Sequence, residues 1–180
     1  MKSNKYFLLF LLLLLFSLFA GCEKTPAAST PEVNVWDLKN YDASKVSKLE
    51  IEVYHSPTCG CCKKWISHLE KHNFKVIDIP TDNMDPVKQK LGVPAHLASC
   101  HTAVIDGYII EGHVPAEDIV QLLTERPDII GLTVPKMPVG TPGMENPGHK
   151  DVFSVFSFEA PIDPNAPAGK VSIFKHYEKY

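Results

Sequence analysis

The chain has no excess of positive charge, and that absence removes one class of partner at once. Its 180 residues carry 18 Lys and Arg against 21 Asp and Glu. Loss of residues 1–21 would take away Lys2 and Lys5 and no acid, leaving 16 basic side chains against 21 acidic ones. Phosphate backbones are held by clustered lysine and arginine, so nucleic acid is excluded as a partner. The chain also lacks an apolar run long enough to span a bilayer comfortably, which takes about 20 residues. Phe7 to Ala20, interrupted by Ser17, falls short of that. Cysteine is scarce too, five in all, yet three of the five crowd into Cys59-Gly60-Cys61-Cys62-Lys63.

The short apolar run behind Lys2 and Lys5 has the form of a secretory signal. It ends in Ala20-Gly21-Cys22, small residues before a cysteine, which resembles the bacterial lipoprotein signal whose cysteine becomes the lipidated N-terminus. Phe19 departs from that pattern, which usually has Leu, Val or Ile there. The alternative is cleavage near Ala20 to give a soluble exported protein. Export places the remaining thiols in an oxidising compartment, where Cys59, Cys61, Cys62 and Cys100 can simply be two disulfides. Adjacent Cys61 and Cys62 cannot easily pair with each other, which weakens that option.

Glu23 to Pro31 is small, polar and proline-containing, as suits a tether. Lys48 to His55 alternates apolar and polar residues, the pattern of a half-buried strand running into the cysteines. Ser56-Pro57-Thr58 supplies turn and helix-start chemistry, with Ser56 or Thr58 as N-cap. The helix that follows has Trp65, Ile66 and Leu69 on one face and Lys63, Lys64, Glu70 and Lys71 on the other. Phe74 to Ile79 is a second strand, parallel to the first through a right-handed crossover. Asp85 to Leu91 reads as a short helix stopped by Gly92 and Pro94. Thr102 to Ile105 and Tyr108 to Ile110 flank Asp106-Gly107, a strong hairpin signal. Pro115, Glu117 and Asp118 open a last helix through about Thr124.

This order, β-α-β, helix, β-hairpin, helix, predicts an α/β fold with a thioredoxin-like domain. The expected organisation is a signal peptide over 1–21, a tether and lead-in over 22–46, the thioredoxin-like domain over 47–132, and a Pro- and Met-containing C-terminal extension over 133–180. Val152 to Phe158 is a candidate added strand in that extension; the alternative is a disordered tail.

Thiols at a helix N-terminus feel the positive end of the helix dipole, and Lys63 and Lys64 add to it, so their thiolate fraction should rise. Gly60 permits a positive φ or a close approach that lets neighbouring sulfurs converge. Cys59 and Cys62 have C-x-x-C spacing; Cys61 is one sulfur more than a dithiol redox centre needs. Three sulfurs on one turn suit a soft metal. Structural zinc usually takes two ligand pairs, and Cys100-His101 is the only plausible second pair, so zinc ranks below Cu(I), which thiolates and thioethers select. Met137 and Met144 can fold back over such a site, or simply pack. In thioredoxin-like folds the residue opening the hairpin strand lies against the strand-to-helix turn. Cys100-His101-Thr102 stand there, and the only nearby proline, Pro94, is several residues earlier. His55 and His113 end strand patterns on the site's side, as further ligand candidates or in supporting or structural roles. His68, His72, His96, His149 and His176 are expected at the surface or in packing.

Tyr54-His55-Ser56-Pro57-Thr58-Cys59-Gly60-Cys61-Cys62-Lys63, Ser99-Cys100-His101-Thr102, Gly107-Tyr108, Glu111-Gly112-His113-Val114-Pro115 and Met137-Pro138-Val139-Gly140-Thr141-Pro142-Gly143-Met144-Glu145 together resemble the CopG family of exported copper-resistance proteins, over residues 48–148. The resemblance implies a cysteine-bridged copper cluster in a thioredoxin-like fold. It also implies a periplasmic role in handling excess copper, including Cu(I)/Cu(II) interconversion. The matching ligands are Cys59, Cys61, Cys62 and Cys100, followed by His101 and Met137 or Met144. With Cys22 lipidated, the protein would be membrane-anchored in the periplasm, with copper ions and other periplasmic copper-handling proteins as partners. Two other functions compete: a periplasmic thiol-disulfide oxidoreductase using Cys59 and Cys62, and a disulfide-stapled interaction lipoprotein.

Overall fold

The computed structural model describes residues 34–37, 41, 49–160 and 169–180. The signal peptide, Cys22, the Glu23 to Pro31 tether and most of the lead-in therefore lie outside the described residues. β1 (Glu50–His55) alternates as its sequence does, with Ile51, Val53 and His55 turned inward. α1 (Gly60–Lys71) follows, and buries Cys62, Trp65, Ile66 and Leu69 at the spacing of a single helix face. Its N-cap is neither Ser56 nor Thr58, whose hydroxyls bond each other at 3.1 Å. Cys59 holds the cap position, and its sulfur accepts the Cys62 N–H. Asn73, in the left-handed region at φ 67°, turns the chain out of the helix. β2 (Lys75–Pro80) then lies parallel to β1, Glu50 opposite Lys75 and His55 opposite Pro80.

α2 (Asp85–Lys90) is short and buries none of its residues. A 3-10 turn over Ala95–Leu97 leads into β3 (His101–Ile105), which runs antiparallel to β1 with His101 opposite His55. The hairpin turns through Asp106 and Gly107, both at positive φ as a type I′ turn requires, into β4 (Tyr108–Glu111). α3 (Ala116–Glu125) is followed by three further strands. They are β5 (Gly131–Thr133), parallel to β4, then β6 (Phe153–Phe158) and β7 (Val171–Tyr177), each antiparallel to the strand before it. The result is a mixed seven-stranded sheet in the order β2-β1-β3-β4-β5-β6-β7.

Residues 131–177 thus widen the sheet by three strands, where the sequence pattern singles out only β6. β5 depends on a close approach, since a Cβ on Gly131 would sit 1.8 Å from the Ile109 carbonyl oxygen. β7 is tied down by chemistry at its end. Tyr177 donates its hydroxyl to the buried Asp118 carboxylate of α3 at 2.9 and 3.1 Å, and Lys175 pairs with the same group at 3.1 Å. Trp36, from the lead-in, is buried against Phe153, Tyr177 and Tyr180 and donates its indole N–H to the Gly140 carbonyl at 2.7 Å. Ile51, Val53, Trp65, Leu69, Ile105, Ile110, Ile119, Leu122 and Leu132 are fully buried at the centre. No helix of the described residues is long and apolar enough to cross a membrane.

Candidate metal centre

The β1-to-α1 turn closes with the Cys59 N–H on the Ser56 carbonyl at 2.9 Å, and the helix begins one residue later. Positions 59 and 62 then share a helix face, and in this structure they are joined by a disulfide; Cys61 and Cys100 are free. Cys61 Sγ is 3.5 Å from Cys59 Sγ. Cys100 arrives from another element. Because β1 and β3 pair antiparallel, the end of β1 that delivers the thiol turn lies beside the start of β3, and residue 100 stands just before that start. The sulfurs of Cys59, Cys61, Cys62 and Cys100 all fall within 4.8 Å of one another. Burial pushes the Cys100 thiol up to about 12, and neighbouring Cys61 adds to the shift. A proton on Cys100 is therefore held until something more attractive, such as a metal cation, replaces it.

A second group shares that sulfur. Cys100 Sγ is 3.2 Å from His101 Nδ1 and 3.2 Å from His113 Nε2, and the three side chains can offer ligand atoms within 4.8 Å of one another. Both imidazoles are fully buried. Burial drives both below the usual histidine range, so both stay neutral with a lone pair to offer. His113 donates its Nδ1–H to the Pro142 carbonyl at 2.8 Å, which fixes the tautomer and turns the Nε2 lone pair toward Cys100. Metal-binding histidines are usually held by such a backbone acceptor. His101 packs on the Trp65 ring, centroids 4.3 Å apart. Its Nε2 is the one buried side-chain polar atom among the described residues that has no hydrogen-bond partner. An unpaired ring nitrogen in a dry interior is unfavourable.

His55 has both ring nitrogens engaged, Nδ1 with the Ser56 carbonyl at 2.8 Å and Nε2 with Asp78 at 2.5 Å, which suits it to hold the turn rather than bind an ion. His68 and His72 pack in the interior with ring centroids 4.5 Å apart, while His96, His149 and His176 are exposed. Met137 is 49% exposed and Met144 is half-buried. The segment between them does reach the site. Gly143, at φ +83°, is so close that a Cβ there would lie 2.8 Å from the Trp65 nitrogen and 2.9 Å from the Cys61 carbonyl oxygen.

Two solved structures resemble this chain, described as Copper resistance protein copG- Form 2 and Copper resistance protein copG- Form 1. They share 46% and 45% sequence identity with it, each covering 72% of this chain and 98% of its own, with TM-scores of 0.66 and 0.64. The chain belongs to the CopG family. A family model described as Protein of unknown function, DUF411 matches residues 97–144. No curated protein matches.

In this CopG-family chain the DUF411 segment supplies Cys100, His101 and His113, while the thiol turn precedes it. The donor set, four cysteine sulfurs once the Cys59–Cys62 disulfide is reduced, with two neutral imidazoles, fits copper: thiolates suit Cu(I) and imidazoles suit either oxidation state. The structure brings together Cys59, Cys61, Cys62, Cys100 and His101, and adds His113, for which the sequence leaves ligand and supporting roles both open. The signal for it was present. The two-residue Asp106-Gly107 turn pairs Thr102 with Glu111, and the same register puts Gly112, whose N–H bonds the His101 carbonyl at 3.0 Å, across from His101. His113 is the next residue.

Proposed function

We propose that this chain is a periplasmic, lipid-anchored copper-binding protein of copper resistance, built on a thioredoxin-like domain. It would hold copper through Cys59, Cys61, Cys62 and Cys100 with His101, and His113 as a further ligand. The observation that carries this is Cys100, whose sulfur belongs at once to a group of four cysteine sulfurs and to a group with two buried neutral imidazoles. A centre with a sulfur-rich end and a nitrogen-rich end can accommodate both Cu(I) and Cu(II), which supports interconversion of the two. The strand order β2-β1-β3-β4, with α1 and α3 between strands, supports the thioredoxin-like reading. Cys22 at the end of a short apolar run supports the anchor.

Loading all four thiols requires the Cys59–Cys62 disulfide to open. A dithiol reductant supplies two electrons and two protons, the S–S bond breaks, and both cysteines become thiols; copper binding then releases their protons. The test is Cu(I) titration of the reduced protein against a chromophoric chelator, with metal analysis of protein isolated from copper-grown cells. Tight binding that weakens in Cys61→Ser supports the cluster, and binding unaffected by that change removes it.

The disulfide also favours a second reading, a thiol-disulfide oxidoreductase working through Cys59 and Cys62. Copper-free protein that turns over a disulfide substrate at enzyme-like rates would establish it over the first.

A further inference from the structure

We propose that Glu111 is a positioning residue for the copper site, clamping the four-residue segment that carries Cys100 and His101; this rests on reading the thiol-imidazole cluster as that site. Glu111 ends β4 and is fully buried. One carboxylate oxygen accepts the Ser99 backbone N–H at 2.6 Å and the other accepts the Thr102 hydroxyl at 2.6 Å. Between Ser99 and Thr102 stand only Cys100 and His101. The carboxylate therefore grips both ends of the shortest segment that contains both residues.

Lys88 completes the clamp. Its ammonium pairs with Glu111 at 2.5 Å and donates to Thr102 Oγ1 at 2.9 Å. The lysine comes from α2, a helix with no buried residue, so this ion pair is a polar link between that helix and the site's interior. The outer side of the segment is held separately. The Lys136 N–H bonds the Ala98 carbonyl at 3.2 Å, and the Ser99 hydroxyl donates to the Lys136 carbonyl. An apolar side chain at 111 would fill the same space. Only an ionised carboxylate accepts three donors at once with charge-assisted strength, and it spends two of them on the chain either side of the ligands. Such supports fix ligand direction, and their loss typically lowers metal affinity about tenfold to a hundredfold.

The test uses Glu111→Gln in the full chain, reduced and free of copper, with two readouts. In the first, alkylation of Cys100 by a thiol reagent should speed up about tenfold, because the segment opens more often, while Cys61 reacts at its unaltered rate. In the second, Cu(I) affinity by chelator competition should fall by about tenfold or more. Thr102→Val removes one donor without changing shape, and should raise the Cys100 rate about threefold. It decides the question if the glutamine variant does not fold. Unchanged Cys100 alkylation in either folded variant overturns the proposal. The alkylation readout involves no copper, so a wild-type protein that failed to bind Cu(I) would overturn the copper reading while alkylation still decided the clamp.

Discussion

The two sides of the centre are built in opposite ways. On one side, Cys59, Cys61 and Cys62 occupy one turn of chain at the mouth of α1, with Cys59 and Cys61 only half-buried and Gly60 exposed. Their sulfurs are close because all three leave the same turn at the start of α1. On the other side, Cys100 stands just before β3, His101 opens β3 and His113 lies in the loop after β4, and the two imidazoles are fully buried. They meet because the hairpin register and the Pro142 carbonyl put them there. The thiol side is chemistry carried by adjacent residues; the imidazole side is chemistry assembled by topology. The accessible edge of the centre is thus sulfur and its buried side nitrogen.

The largest effect should come from the residue common to both sides. Cys100→Ser removes a donor from both groups, so Cu(I) affinity should fall more than about a hundredfold, beyond what losing a supporting group produces. Cys61→Ser touches one group and should lose less. Chelator competition on the reduced proteins measures both. A Cys61 variant weaker than the Cys100 variant would break the comparison, because it would put the thiol turn alone in charge of binding.

The rigid interior has a pH signature. Burial above all, helped by neighbouring His72 and Lys71, lowers His68 to about 3. His68 is held in that role by accepting the Ala116 N–H at 3.1 Å. In the unfolded chain the same imidazole takes up a proton near its ordinary value of about 6.5. The unfolded state then binds more protons, so the stability this group contributes is complete above about pH 6.5 and is lost progressively as pH falls toward 3. Each unit through that window costs about 1.4 kcal/mol. Urea unfolding of copper-free protein at pH 7, 6 and 5 should show that slope, and His68→Leu should reduce it. A midpoint that did not move between pH 7 and 5 would sink the claim of a neutral buried imidazole.

A smaller effect separates the extension from the thiol turn. Gly143→Ala puts a Cβ at positive φ against backbone atoms of Trp65 and Cys61, neither of which can swing aside. The expected destabilisation is about 1–3 kcal/mol by urea titration, with faster alkylation of Cys61 as the loop lifts. A neutral Gly143→Ala would show that the loop only rests on α1.

Most of the β-α-β unit, the hairpin and α3 could be read from the sequence, since each rests on local signals: strict alternation before His55, a single apolar helix face, and Asp106-Gly107. The strand pair β4–β5 could not, because β5 is three residues long and exists through a backbone approach that only Gly131 permits. β7 lacks clean alternation, and what holds it is a tyrosine and a lysine on a carboxylate fifty-seven to fifty-nine positions away in sequence. Cysteine is seldom considered as a cap, which hid the role of Cys59. Trp36 carries no sign of its role in the sequence because nothing local says that Gly140 will accept its N–H. His113 was legible only to someone who followed the hairpin register past its last pair.

The smallest effect tests the thiol turn itself. The sequence suggests that Gly60 is needed for a positive φ or a close approach, and neither is found. Gly60 is absent from the left-handed glycines, it opens α1 as an ordinary helical residue, and a Cβ built on it meets nothing within 4 Å. Gly60→Ala should therefore leave the sulfurs where they are. Because alanine has less freedom to lose on folding, stability should rise by less than about 1 kcal/mol, with Cu(I) affinity within about twofold of wild type. If affinity instead falls while the fold holds, the backbone at Gly60 must move when copper binds. The accessible side of the centre would then be the one that changes shape, and the buried imidazole side the fixed template it closes on.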